Sequence, residues 1–212
     1  MQEQDMRLGI LTGLAEEAAL AARHFPQAAI ATSGATQAGA ERALGALKAA
    51  GATHLLSFGY AGGLAPWVQA GSIMVPEAVM VEGQLVPVSA ELAKQFGVVD
   101  GHVLHSPHMV RQASEKAALY ERTGCAMADM ESGLVVTSGL PAAVLRVACD
   151  VAGETLPPAA CQPLRGNKPD MGAILQNVLR RPGQLPALIT LGRHRGAARQ
   201  AMEKHLHGLD LA

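Results

Sequence analysis

Aromatic side chains are scarce in this chain of 212 residues: one Trp, two Tyr and three Phe, 3% of the total. So few rings leave little material for stacking nucleobases along a single strand. Excess charge of either sign is also missing. Seventeen Lys and Arg face 18 Asp and Glu, for a net charge of −1, which excludes nucleic-acid binding by bulk charge. Cysteine is limited to Cys125, Cys149 and Cys161, an odd number without a CxxC pair, as expected of a reducing, cytoplasmic setting. No apolar run approaches the roughly 18–20 residues that cross a bilayer, and MQEQDM is not the basic start of a signal peptide. The expectation is a soluble, cytoplasmic protein.

What the chain has is apolar mass, 49% hydrophobic against 17% charged residues, which excludes disorder and points to a core of Ala, Val, Leu and Ile. Its length fits a single domain spanning 1–212. Strand-like and helical stretches alternate. Leu8–Thr12, Ala28–Thr32, His54–Phe58, Ser72–Val75, Ala78–Val81, Leu85–Val88, His102–His105, Ala126–Met127 and Ala143–Cys149 read as strands. Ala15–His24, Gln37–Ala50, Glu91–Phe96, Ser114–Arg122 and Glu131–Ser138 read as helices. Such alternation predicts an α/β fold: a three-layer α/β/α sandwich around a twisted mixed sheet. From about residue 165 the chain becomes helical and basic. Between Arg165 and Lys204, Arg165, Lys168, Arg180, Arg181, Arg193, Arg195, Arg199 and Lys204 face only Asp170 and Glu203. A cationic, partly amphipathic end of this kind suits peripheral contact with an anionic membrane, or else is a solvated face.

In open α/β sheets ligands sit beyond the carboxyl ends of the strands. Four predicted strand ends carry acids or glycines there: Gly13-Leu14-Ala15-Glu16-Glu17, Gly59-Tyr60-Ala61-Gly62-Gly63, Asp129-Met130-Glu131 and Asp150. Clustered carboxylates raise one another's pKa, so one can serve as an acid while another positions water. That division of labour suits cleavage of a glycosidic-type bond. The same acids at helix starts are equally good N-terminal caps.

The segments GILTGLAEEA, SFGYAGGLAPWVQAGSIMVP, MADMESG and LRVACDVA resemble, in that order, signatures of the purine nucleoside phosphorylase and methylthioadenosine/S-adenosylhomocysteine nucleosidase superfamily. The short chain and RRPGQLPALITLGR look most like its hopanoid-associated phosphorylases, which remove adenine from adenosylhopane. The resemblance implies a nucleoside phosphorylase-like fold, a nucleoside substrate carrying a lipid on C5′, no metal or organic cofactor, and a dimer or larger assembly. By the same resemblance Asp150 protonates purine N7 and Glu17 positions the nucleophilic water. Glu131 holds the ribose hydroxyls, with Met130 packed under the sugar. Tyr60 and Gly62 lie near sugar and base, and His108 and Met109 lie against the purine.

Departures from the pattern bear on the nucleophile. The phosphorylases grip phosphate with arginines in the first motif and just before the glycine run, and this chain has LAEEA and Ser57 there. A phosphate dianion without a guanidinium binds poorly, so hydrolysis is the expectation, with Arg146 or a neighbouring subunit the alternative source of an arginine. Tyr60 replaces a small hydroxyl residue, His108 replaces a phenylalanine-like ring, and Glu77–Gly101 is short, leaving the 5′ side open to a bulky substituent. His102, His105 and His108 do not make a zinc set, because residues three apart on a strand face opposite ways. The glycine run is neither a GxGxxG fingerprint nor a P-loop.

Overall fold

Apolar residues at adjacent positions of the central strands point to opposite faces, and this divides the molecule into three layers. The computed structural model describes residues 6–161, 164, 165, 168, 169 and 171–209. Strands β1 (Leu8–Thr12), β2 (Ala29–Thr32), β3 (His54–Gly63), β4 (Ile73–Met74), β5 (Ala78–Val81), β6 (Gln84–Pro87), β7 (His102–His105), β8 (Met127–Asp129) and β9 (Ala142–Ala148) form one nine-stranded sheet. Helices α1 (Ala15–His24), α2 (Gln37–Ala49), α3 (Ala90–Lys94), α4 (Ala113–Thr123), α5 (Ser132–Val136), α6 (Met171–Arg180) and α7 (Leu185–His207) accompany it. The pairing is mixed: β1 runs parallel to β2 and β3, β3 parallel to β9, and β5 antiparallel to β6.

On one face Ile10, Leu56, Phe58 and Val147 meet Leu20 of α1, Leu92 of α3, and Ala198, Met202 and Leu206 of α7. On the other, Leu11 and Leu55 meet Ala43 and Leu47 of α2 and Val135 of α5. Neighbouring residues of a strand thus feed separate cores, as the two-residue period requires. Ala198, Met202 and Leu206 recur at a spacing of four, which lays one stripe of α7 on the sheet and leaves Arg193 and Arg199 exposed.

The strand that organises the site is β3. The expected loop at Gly59–Gly63 is instead a continuation of β3. Residues Leu55–Ala61 run beside β9, and Gly62 and Gly63 then pair antiparallel with β8. Gly59, at φ +150°, adopts a backbone that residues with a Cβ rarely reach. The strand therefore bends there without ending. The helix expected over Glu131–Ser138 is shorter, Ser132–Val136, and the strand expected over Ser72–Val75 narrows to Ile73–Met74. The basic C-terminal part is α6 and α7, preceded by a two-residue hairpin at Leu164–Arg165 and Lys168–Pro169. Asp170 and the side chains of Arg165 and Lys168 lie outside the described residues.

Phe58 is fully buried where β3 meets α1 and α7. Phe58→Ala is expected to lower the unfolding free energy by about 3–5 kcal/mol, the usual range for an emptied aromatic site, as read from urea denaturation midpoints.

Candidate active site

Three acids, Glu17, Glu131 and Asp150, are almost wholly buried at the carboxyl ends of β1, β8 and β9. Glu17 lies in the first turn of α1. Its Oε2 accepts the backbone N–H groups of Gly13 at 2.8 Å and Leu14 at 2.7 Å, and its Oε1 accepts that of Tyr60 at 2.7 Å. Glu131 follows β8, and its Oε1 accepts the Ser33 hydroxyl at 2.8 Å. Gly13 joins the two acids: a Cβ placed on it would stand 3.2 Å from Glu17 Oε2 and 3.2 Å from Glu131 Oε1. At Gly59 a Cβ would come within 2.5 Å of Glu17 Oε1. Gly59 is thus required by its backbone conformation and by the close approach of a carboxylate, while Gly13 leaves the two acids the space of a missing methyl.

Asp150 ends β9. Its Oδ1 accepts the N–H of Gly63 at 2.9 Å and the ammonium of Lys116 at 2.8 Å. Tyr60 and Gly63, the β3 residues that anchor Glu17 and Asp150, are three positions apart, on the order of 10 Å along an extended chain. Cys149 lies within electrostatic reach of both acids. Its thiol, pushed up to about 12 by burial, is neutral near pH 7 and is no nucleophile.

Beneath the glutamates Arg146 is fully buried in β9. Its Nε lies 2.5 Å from Asp129 Oδ2. Its Nη2 lies 2.5 Å from the Ser57 hydroxyl, 3.2 Å from that of Ser132 and 3.8 Å from Glu131 Oε2. Ser132 also bonds Asp129 through its hydroxyl. Asp129 Oδ1 in turn accepts the N–H groups of Glu131 at 3.1 Å and Ser132 at 2.9 Å, and so shapes the turn that carries Glu131.

The sequence-predicted residues thus separate into groups. Glu17 and Glu131 both approach Gly13, and Asp150 stands farther along β3 beside Gly62, where a Cβ would meet its oxygens at 3.4 and 3.5 Å. Met130 is half-buried next to Glu131. Tyr60 contributes its backbone to Glu17, but its ring packs on the α7 side under the Arg195 guanidinium, 5.4 Å from the ring centroid. His108 is exposed, with Nε2 3.1 Å from Glu115 Oε1, and Met109 is exposed beside it. Among the described residues neither forms a hydrogen bond or ion pair with the three acids. Among the described residues no cluster of three His, Cys, Asp or Glu has the form of a metal site.

Sequence reasoning missed Ser33, Ser132 and Lys116. The signal for Lys116 was present: it lies three and four residues before Leu119 and Tyr120, which pack against a core cluster, so a helix over this segment turns a lysine inward.

Burial pushes the Glu17 carboxyl up to about 7. The Tyr60 N–H opposes that rise, the charge of Glu131 adds to it, and Arg146 opposes it. Burial also raises Glu131 and Asp150, opposed by Arg146 and Lys116 respectively. Between the ordinary value of 4.5 and about 7, folded Glu17 holds a proton that the unfolded chain releases. Its contribution therefore favours folding below pH 4.5 and is lost as pH rises through 7. In ¹³C NMR spectra of the glutamate carboxyls, one resonance is expected to titrate near 7 and to be absent from Glu17→Gln. A Glu17 signal titrating near the ordinary 4.5 would contradict the enclosed environment described above.

No protein-family model matches the chain, and no curated relative matches it in sequence. Solved structures do match. S-adenosylhomocysteine nucleosidase from Streptococcus pyogenes, in complex with 5-methylthiotubericidin, is 13% identical with a TM-score of 0.66, covering 100% of both chains. The 5′-methylthioadenosine/S-adenosylhomocysteine nucleosidase of Colwellia psychrerythraea, in complex with adenine, is 16% identical with a TM-score of 0.63 over 96% of each chain. Futalosine hydrolase of Helicobacter pylori is 16% identical with a TM-score of 0.61, covering 82% of this chain and 97% of that one. At such identities the likeness is one of architecture: the chain has the mixed-sheet α/β fold seen in these three structures.

Proposed function

We propose that the protein cleaves the N-glycosidic bond of an adenosine derivative by hydrolysis, releasing adenine. The observation that carries the reading is the placement of Glu17 and Glu131 about Gly13, with Asp150 farther along β3. A ribosyl group lying over the glycine run would have Glu131 at its hydroxyls, Glu17 behind C1′ and Asp150 at the base. Asp150 donates a proton to N7, so adenine departs neutral. Glu17, poised near pH 7 by burial, takes a proton from the attacking water. The negative surroundings favour the positive charge that develops on the sugar.

Water is favoured over phosphate by the state of Arg146. Its guanidinium is engaged by Asp129, Ser57 and Ser132 and has Glu131 nearby. One cation among Asp129, Glu131 and Glu17 leaves no surplus positive charge for a dianion. Phosphorolysis of the same substrate is the second reading, and an arginine from a neighbouring subunit is what it would need.

For the substituent on C5′ we favour a long apolar chain, adenosylhopane being the case that the resemblance implies. In support, β5 and β6 are joined by only Glu82 and Gly83, so this part of the cover is small. No helix among the described residues is long and apolar enough to cross a membrane. Leu179, Leu185 and Ile189 are exposed near Arg180 and Arg181 in sequence, a composition that supports peripheral contact with anionic lipid. A homodimer remains part of the proposal.

Purified protein is expected to release adenine from a 5′-alkyl adenosine in phosphate-free buffer. A strict requirement for phosphate would replace hydrolysis with phosphorolysis. Asp150→Asn and Glu17→Gln are each expected to lower kcat by roughly 10²–10⁴ while the protein remains folded. If only 5′-methylthioadenosine is cleaved and the long-chain analogue is not, the lipid assignment falls. Co-sedimentation with phosphatidylglycerol vesicles, but not with phosphatidylcholine vesicles, checks the membrane contact.

A further inference from the structure

Lys116 enters from the first turn of α4 and is fully buried. Its Nζ lies 2.8 Å from Asp150 Oδ1 and 3.0 Å from the Val151 carbonyl oxygen. With the Gly63 N–H on the same oxygen, Oδ1 is held from two sides. Asp150 Oδ2 has no hydrogen bond within the described residues, and the carboxylate keeps slight exposure. Gly62 leaves room beside it. A buried ion pair is a poor stabiliser, because desolvation of both ions opposes their attraction, and apolar residues of similar volume often serve stability as well. Stability alone is therefore a weak reason for this lysine.

We propose that Lys116 is a positioning residue for the reaction: it fixes Oδ1, leaves Oδ2 to face the base, and strengthens Asp150 as an acid by stabilising the carboxylate that remains after proton transfer. This rests on the nucleosidase reading. In the step concerned, the proton on Oδ2 passes to purine N7 and the C1′–N9 bonding pair moves to the base. Asp150 is left as a carboxylate against the ammonium, to be reprotonated from solvent. The other titratable groups around Asp150 are Glu154 on the following loop, Cys149 just after β9, and Cys161 in the 3₁₀ turn Pro158–Cys161, whose thiol is bonded by Arg111. Burial raises both thiols, which keeps them neutral near pH 7. Glu154 works against deprotonation of Asp150 and has His194 3.1 Å away. Lys116 is thus the cation in direct contact with the acid.

The test is the pH dependence of adenine release from an adenosine nucleoside by wild-type protein, Lys116→Gln and Lys116→Arg. Gln retains an N–H donor for Oδ1 without charge. The reaction needs protonated Asp150, so its alkaline limb falls as pH rises through the Asp150 pKa. Loss of the neighbouring cation raises that pKa. Lys116→Gln is expected to move the alkaline limb of kcat up by about one pH unit or more and to lower plateau kcat about 10-fold, with KM little changed. Lys116→Arg keeps the limb in place. With p-nitrophenyl β-D-ribofuranoside, whose phenolate leaves without a proton, Lys116→Gln should match wild type. A limb unmoved in Lys116→Gln, or equal losses on both substrates, overturns the proposal. Failure of wild-type protein to release adenine from any nucleoside instead overturns the nucleosidase reading itself. Should Lys116→Gln not fold, NMR of the wild-type protein answers. The Lys116 ¹⁵Nζ resonance, assigned by its loss in Lys116→Arg, should shift at the pH where the Asp150 ¹³C carboxyl titrates. Absence of that shift also overturns the proposal.

Discussion

Carboxylates held against bare main chain are the constraint on which the rest of this molecule depends. Glu17 and Asp150 each take backbone N–H groups of β3, and Glu131 approaches Glu17 across a glycine. Isolated buried carboxylates are costly to desolvate. These are made tolerable by amide donors, by serine hydroxyls, and by one cation in each half of the site, Arg146 and Lys116. The consequence is a set of three acids that burial raises above their ordinary values, each held in check by donors and a nearby cation.

The fold serves this arrangement directly. β3 lies between β1 and β9 and then crosses to β8, so one strand meets the ends of the three others that carry the acids. The two cores on either face of the sheet, anchored by Leu56 and Phe58 on one side and by Leu55 on the other, hold that crossing in place. Tethers reach the site's edge from the C-terminal helix as well. Arg195 of α7 pairs with Glu16, the immediate neighbour of Glu17, and packs over Tyr60. Part of the positive charge of the basic C-terminal segment is thereby neutralised within the protein rather than presented outward.

Much of this was legible beforehand, for identifiable reasons. Short apolar runs ending in Gly or Asp gave β1, β3 and β9, because buried parallel strands are nearly continuous in apolar residues. Glu17, Glu131 and Asp150 could be placed at one rim because strand ends in α/β sheets converge. The extension of β3 through Gly59–Gly63 was hidden, since five residues with three glycines read as a turn until two partner strands are known. The side-chain direction of Tyr60 and the outward turn of His108 toward Glu115 depend on tertiary neighbours that no local pattern encodes. Lys116 was the opposite case: its helical spacing marked it as inward, yet lysine's ordinary place at the surface masked the signal.

The glycine floor has a consequence for how such a protein can change. A wall made of peptide groups offers no side chains to exchange. The smallest alteration available at Gly59, a methyl group, would collide with Glu17. Substitution is therefore blocked at this position, and change is left to residues whose side chains do not press on a buried acid. A chain sharing only 13% of its residues with this one retains the same overall architecture.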